Sequence, residues 1–260
     1  MLRWFEHRQV YAPSSGFKAG ATELGHPFED VAFTASDGVR LHGWFFPAAK
    51  NSERSSQVLL LLHGNKGNIS HRLDFYRAWL ETGVNVFAFD YRGFGQSQGR
   101  ASEAGTYLDA QAAHQWLRQK GFAPAQILAL GKSLGGGIAS ELALREPLGG
   151  LILQSTFTSI PDVGSELFPW LPVRRLSRIH YDTLGKLPRI HVPVLVAHSR
   201  KDRVVGFHHA EKNFAAANEP KLFWEIYGGH TGALEAGRER YLEGLHTFFK
   251  LLPTGKTDPR

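Results

Sequence analysis

An apolar run that breaks into glycines around one serine most limits how this chain can fold. Residues 127–130 are all apolar, and residues 131–135 then follow the pattern G-x-S-x-G with Ser133 at its centre. An apolar, helix-favouring stretch, 138–144, comes directly after two more glycines. This order predicts a strand, a sharp turn and a helix, with glycine where the two backbones must pass close together.

The same five-residue pattern occurs twice, so the pattern by itself does not identify a reactive serine. Residues 95–99 also match it, with Ser97 at the centre, but a polar, Gly-rich loop follows them instead of a helix. A serine on a strained turn between a strand and a helix exposes its hydroxyl, as a nucleophile requires. We therefore interpret Ser133 as the candidate nucleophile and Ser97 as a loop serine.

The alternation of the remaining segments predicts an α/β fold. An N-terminal antiparallel hairpin is expected from strands 28–34 and 39–46 around Asp37-Gly38, a strong turn signal. Further strands with helices between them predict a mostly parallel sheet with helices on both faces. The predicted strands are 58–62, 84–89, 127–130, 148–153, 192–197 and 222–227.

Three parts of the chain depart from this alternation of strands and helices. Residues 1–26 are mixed and Gly-rich, which favours a strand at 9–11 followed by a loop. Residues 157–189 carry four prolines and read as a small lid insertion of short helices and turns. The polar tail, 253–260, is expected to fray. Because the insertion is too short for a core of its own, we predict a single domain, 1–260.

Composition excludes several function classes. The chain of 260 residues has no cysteine, which rules out disulfides, thiolate metal sites and cysteine nucleophiles. We see no metal, flavin or nicotinamide motif and expect no cofactor. The net charge of +6 comes without any run of five basic residues, so we expect no nucleic-acid binding.

The sequence also predicts a cytoplasmic location. No stretch approaches the roughly 18 apolar residues of a membrane span, and residues 1–8 lack the apolar core of a signal peptide. Trp4 and Phe5 still leave a peripheral membrane contact open.

An acid and a base follow Ser133 in the chain, each just after a predicted strand. Asp202 comes after the strand 192–197, and His230 comes after 222–227 through Gly228-Gly229. A serine hydroxyl needs a base to take its proton and a carboxylate to orient that base. Because sites form beyond the carboxyl ends of strands in such sheets, we predict that Ser133, Asp202 and His230 converge.

Other acids and histidines compete for these roles. Asp162 and Asp182 lie in the insertion, which makes them weak candidates for the acid. His198 precedes the acid and lacks the Gly-Gly turn of His230. Two further histidines, His208 and His209, are expected on a helix surface.

Backbone N–H groups are expected to receive the developing oxyanion. The candidates are Leu134, directly after the nucleophile, and Asn65 in the loop after strand 58–62. His63, at the end of that strand, suits a structural role that shapes the loop. Lys132, beside the nucleophile, has two interpretations. It lowers local pKa values or contacts an acidic substrate, or it is simply a solvated or paired cation.

With these motifs in place, the chain resembles the α/β-hydrolase superfamily over nearly its whole length. Its loop 63–68, of the form His-Gly-Asn-x-Gly-Asn, is similar to that of the small-lid abhydrolase-domain branch that includes protein depalmitoylases. The resemblance implies Ser133, Asp202 and His230 as a triad, with Leu134 and Asn65 as oxyanion donors. The membrane anchor or Cys-rich segment common in that branch is not seen here, which favours a small soluble ester as substrate.

These features predict a serine hydrolase that acts on carboxylic esters or thioesters through an acyl-enzyme. Phe168, Trp170 and Leu171 would then shape an apolar acyl pocket, or simply pack the lid. A peptidase or amidase on the same residues stays open, as does a non-catalytic binding protein, because a fold does not determine a function.

Overall fold

The computed structural model describes residues 2–253, in which strands and helices alternate along most of the chain. The strands are β1 (Ala12–Pro13), β2 (Glu29–Thr34), β3 (Arg40–Phe46), β4 (Val58–Leu62), β5 (Lys66–Gly67), β6 (Asn85–Asp90), β7 (Ile127–Lys132), β8 (Gly150–Gln154), β9 (Val194–His198) and β10 (Lys221–Glu225). The α-helices are α1 (Leu2–Val10), α2 (Leu73–Glu81), α3 (Glu103–Gln119), α4 (Leu134–Arg145), α5 (Ile160–Leu167), α6 (Val173–Leu176), α7 (Phe207–Ala216) and α8 (Ala233–Phe249). Beyond Pro253, the tail expected to fray lies outside the described residues.

Eight of these strands form one sheet, in the order β10-β9-β8-β7-β4-β6-β3-β2. Strand β3 pairs antiparallel with β2 and with β6, and the other neighbours pair in parallel. The turn between β2 and β3 contains Gly38 at φ 86°, a left-handed conformation that favours glycine. The predicted fold class, a mostly parallel sheet with an N-terminal antiparallel hairpin, is confirmed.

The central strands are buried on both faces, which explains their uninterrupted apolar sequences. In β4, Val58, Leu60 and Leu62 belong to one core cluster. Leu59 and Leu61 point the other way, into a second cluster. Full burial of one such leucine contributes about 1.5–3 kcal/mol to stability. Because leucines point to both faces of the sheet, helices must cover both faces for this burial to occur.

The N-terminal stretch is a helix, and the prediction of a strand at 9–11 was wrong. Helix α1 is held by distant parts of the chain: the Glu6 carboxylate accepts hydrogen bonds from the Ser177 hydroxyl and from the N–H groups of Arg178 and Ile179. On the next residue, the His7 ring donates to the carbonyl of Ala101 at 2.8 Å. These contacts are tertiary, so they override the weak local preference of the segment.

The neighbouring strands β4 and β7 mark the point from which the sheet grows in both directions. Their register pairs Leu62 with Gly131, so the loop after β4 and the turn after β7 leave the sheet side by side. Open α/β sheets bind ligands at such a switch point, beyond the carboxyl ends of the strands. Within the described residues, no helix has the length and apolarity to cross a membrane.

Candidate active site

The turn after β7 has the strained geometry expected of a strand-to-helix turn. Ser133 has φ 52° and ψ −116°, outside the backbone regions that residues with a side chain normally adopt. A Cβ on Gly131 would lie under 3.0 Å from the Gly135 carbonyl, and a Cβ on Gly135 would lie closer still to the Leu62 carbonyl. Glycine at both positions therefore lets α4 start directly against β4, with the serine side chain at the edge of the sheet.

The structure brings together the three residues singled out as nucleophile, base and acid. The ring of His230 lies between the other two side chains, with Nδ1 2.7 Å from Asp202 Oδ2 and Nε2 3.0 Å from Ser133 Oγ. An ionised carboxylate only accepts hydrogen bonds, so Nδ1 carries the proton. In the neutral imidazole, Nε2 then carries no proton and faces the serine hydroxyl as an acceptor.

Asp202 is held in its ionised form. Burial by itself would raise the pKa of this carboxyl, but the hydrogen bond from His230 and the attraction between the two groups act against it. The N–H groups of Val204 and Val205 both donate to Oδ1 at 2.9 Å. Together these contacts hold the pKa of Asp202 below its usual value, so the carboxylate orients the imidazole throughout the neutral range.

The rival acids and bases have other partners. His198 Nε2 donates to the Val205 carbonyl at 2.9 Å. Asp162 accepts from the Thr158 hydroxyl, and Asp182 accepts from a backbone N–H of its own loop. None of these three contacts involves the Ser133 hydroxyl.

His209 and the second G-x-S-x-G serine also have structural partners. His209 is buried, not on the surface as predicted, and its ring accepts a hydrogen bond from the Thr158 N–H at 3.1 Å. Ser97 is buried too. Its hydroxyl donates to the Asp90 carbonyl and accepts from the N–H of His42, as suits a loop-bracing serine.

Two backbone N–H groups lie free beside the serine. Leu134 is the first residue of α4, where N–H groups have no partner within the helix. Neither its N–H nor that of Asn65 donates to another group within residues 2–253. A Cβ on Gly64 would lie 3.6 Å from Ser133 Cβ, so the loop that carries Asn65 packs against the turn.

Buried polar residues support this loop from below. His63 is fully buried and donates from Nδ1 to the Gly64 carbonyl at 2.7 Å, while Nε2 lies 3.3 Å from Asp90 Oδ1. The same carboxylate oxygen accepts from the Ile69 N–H at 2.9 Å. The Tyr91 hydroxyl donates to the His63 carbonyl at 3.0 Å. These contacts fix the path of the chain from β4 into the loop.

A cavity of about 490 Å³ opens above Ser133 and His230, within the size range of small-molecule sites. The segment between β8 and β9 covers it with α5 and α6. Its lining is mostly apolar, with Phe157, Ile160, Val163, Leu167, Phe168, Leu171, Val173 and Leu176 contributed by that segment. Trp170, which we expected in this set, is 77% exposed and does not line the cavity.

Helix α1 forms a further wall of the cavity, which the sequence did not indicate. Phe5, Glu6, Gln9 and Val10 all line it, and the Phe5 ring meets that of Phe168 edge-on at 6.0 Å. The adjacent apolar pair Trp4-Phe5 was the available signal, but a pair of residues does not reveal a helix.

The buried histidines give the protein's stability a pH dependence. Burial lowers the pKa of His63 and of His198 below the usual 6.5. The unfolded chain then binds these protons at a higher pH than the folded chain, so the free energy of unfolding decreases as pH falls below about 6.5. Asp202 contributes to stability in a separate, more acidic range. Its pKa is lower in the folded than in the unfolded chain, so its contribution is lost as pH falls from the unfolded pKa through the folded one.

We therefore expect the urea midpoint of unfolding to be lower at about pH 5.5 than at about pH 7.5. The variant His198→Gln should reduce this difference, because a neutral amide can donate to the Val205 carbonyl without a proton to gain. His191→Gln serves as the control, since His191 is exposed. Equal pH dependence in wild type and His198→Gln would contradict the assignment.

Comparison with known proteins agrees with this fold. A family model described as serine aminopeptidase, S33 matches residues 53–184, just over half of the chain. An uncharacterized protein of Mycobacterium tuberculosis, Rv2307c, is 40% identical over 233 residues, which cover 88% of this chain and 82% of that protein. The alpha/beta hydrolase domain-containing protein WAV2 of Arabidopsis thaliana is 32% identical over 270 residues, covering 93% and 86%.

Solved structures extend the likeness to the whole fold. An esterase of Pyrococcus furiosus, Pf2001, superimposes with a TM-score of 0.76 at 22% identity, covering 93% of this chain and 99% of that one. An alpha-beta hydrolase of Vibrio vulnificus gives 0.76 at 20% identity. The chain belongs to the α/β-hydrolase superfamily, within the family described as serine aminopeptidase, S33, and is a hydrolase.

Proposed function

We propose that this hydrolase cleaves carboxylic esters or thioesters through an acyl-enzyme on Ser133. The observation that carries the proposal is the position of the His230 ring, within hydrogen-bond distance of both Asp202 Oδ2 and Ser133 Oγ. A chain with this geometry has an activated nucleophile. A binding protein on the same fold would not need it.

The reaction follows from the protonation states. His230 Nε2 takes the proton of the Ser133 hydroxyl as Oγ bonds to the acyl carbon, and the N–H groups of Leu134 and Asn65 bind the oxyanion. The bond to the leaving group then breaks, and His230 returns the proton to the departing oxygen or sulfur. In the second half, His230 takes a proton from water as the water oxygen bonds to the acyl carbon of the acyl-enzyme. The bond to Ser133 Oγ then breaks, His230 returns the proton to Oγ, and the acid is released. Asp202 stays ionised and stabilises the imidazolium in both halves.

The cavity favours an ester with an apolar chain. Its walls are mainly aliphatic and aromatic side chains from the β8–β9 segment and from α1. An extended peptide would need backbone partners in the site, whereas an apolar chain gains from burial alone, at about 0.8 kcal/mol per CH₂. We therefore place esters and thioesters ahead of amides.

Labelling with a fluorophosphonate probe tests the proposed nucleophile directly. We expect one adduct on folded protein, located at Ser133 by mass spectrometry, and full labelling of Ser97→Ala. Unlabelled protein from the same preparation should hydrolyse p-nitrophenyl octanoate faster than the acetate and leave the p-nitroanilide nearly intact. An unlabelled Ser133 in folded protein would favour a non-catalytic role, and rapid anilide cleavage would favour an amidase.

A further inference from the structure

One wall of the cavity carries positive charge that the proposed reaction does not use. Lys66, Arg72 and Lys132 line it. They come from β5, from the residue just before α2 and from the end of β7, whereas the apolar lining comes mainly from the β8–β9 segment and α1. The wall is therefore chemically distinct from the rest of the cavity.

Lys132 is buried but has no polar partner. Its residue exposure is 8%, and its ammonium forms neither a hydrogen bond nor an ion pair with any group of residues 2–253. The ammonium instead lies 4.4 Å from the centre of the Phe75 ring. A buried cation is costly unless it is paired, and no pairing within residues 2–253 offsets that cost here.

Arg72 is also incompletely satisfied. Its Nη2 donates to the Lys66 carbonyl at 2.8 Å, which holds the guanidinium at the cavity. Its Nε is buried and has no hydrogen-bond partner within residues 2–253. A planar guanidinium and an ammonium with free N–H groups are the donors that carboxylates and phosphates prefer.

The charged groups near Lys132 do not balance the positive charge of its ammonium. Burial is the main cause that lowers its pKa, to about 8, and the positive charge of Arg72 lowers it further. The carboxylates of Glu235 and Asp202 act in the opposite sense with smaller effect, and Asp202 is already bonded to His230. An anion from outside the chain would supply the missing charge.

We propose that Lys132, Arg72 and Lys66 form a subsite for an anionic group of the substrate, a carboxylate or a phosphate. The preferred ester then has an apolar chain on one side of the scissile bond and the anion on the other. This inference rests on the proposed esterase function. It explains why a cation directly precedes the nucleophile.

Three octanoyl esters that differ in one group test the subsite. They are 1-octanoylglycerol, its 3-phosphate, and 3-octanoylglycerate, in which a carboxylate replaces the free terminal hydroxymethyl group. We expect wild-type kcat/KM to be higher for at least one anionic ester than for the neutral one. Lys132→Met should lower the ratio of anionic to neutral kcat/KM by about 10–100-fold, the usual effect of a lost charge-assisted contact.

Matched variants separate the loss of anion recognition from a general loss of activity or folding. Arg72→Gln should lower the same ratio while Arg72→Lys preserves most of it, and the exposed Lys212→Met on α7 should change nothing. Lys132→Met should also unfold at a higher temperature than wild type, because it removes an unpaired buried charge. An unchanged ratio, or an equal loss on all three esters, would overturn the subsite.

A binding measurement keeps this test independent of turnover. Calorimetry should detect octyl phosphate binding to wild type and about 10–100-fold weaker binding to Lys132→Met, with octanol as the neutral comparison. If wild type cleaves none of the esters yet binds octyl phosphate through Lys132, the esterase proposal fails and the subsite stands. If octyl phosphate binds no more tightly than octanol, the subsite falls.

Discussion

Replacing Ser133 with alanine is expected to lower kcat for ester hydrolysis by about 10⁶-fold, the loss typical of a removed triad serine. The variant keeps the proposed oxyanion donors and the cavity, so KM should change little and a small residual rate should remain. The alanine removes one hydroxyl at the edge of the sheet, where Ser133 is only partly buried. Circular dichroism and the urea midpoint should therefore match wild type.

Ser97→Ala is the matched control for this experiment, because Ser97 occupies the same position in the second G-x-S-x-G pattern. Its hydroxyl lies between the Asp90 carbonyl and the His42 N–H. Losing these bonds should cost about 1–3 kcal/mol of stability with kcat nearly unchanged. Full activity in Ser133→Ala, or an inactive but folded Ser97→Ala, would refute the assignment of the nucleophile.

The sequence predicted the sheet and the convergence of Ser133, Asp202 and His230 because both depend on local signals. Buried parallel strands are continuous apolar runs, and parallel strands bring all their carboxyl ends to one edge. A polar residue just after such a strand therefore lies near that edge, however far it is in sequence from the other residues of the site. The chain order of the three residues supplied the remaining constraint.

The features that the sequence missed depend on contacts between distant segments. Helix α1 is fixed by the bonds of Glu6 to Ser177 and its neighbours, a link across about 170 residues that no local pattern encodes. Trp170 was expected in the cavity because it is apolar and lies in the insertion. Its direction depends on how the short helices α5 and α6 end, which composition does not determine.

Lys132 shows the same limit at the level of one side chain. Its place beside Ser133 was visible in the sequence, but its burial and lack of a partner were not. Those depend on Phe75 of α2 and on Arg72 just before that helix. The sequence thus located the candidate residues, while the substrate preference proposed for them depends on tertiary packing.

Gly135→Ala is expected to destabilise the fold by more than about 3 kcal/mol, at the upper end of overpacking effects. A Cβ at this position would overlap the carbonyl group of Leu62, and the His63 carbonyl lies 2.9 Å away. These are backbone atoms at the end of β4, so no side chain can rotate aside. Either α4 or the central strand must move.

Gly16→Ala is the matched control, because a Cβ on Gly16 meets nothing within 4 Å. It should leave the free energy of unfolding unchanged or raise it by up to about 1 kcal/mol, through a less flexible unfolded chain. Urea denaturation of both variants measures the contrast, and equal midpoints would contradict the close approach of α4 and β4. If Gly135→Ala does fold, kcat should fall as well, because the displacement separates the Leu134 N–H from that of Asn65. One close contact would then account for both the stability of the sheet centre and the geometry of the proposed oxyanion site.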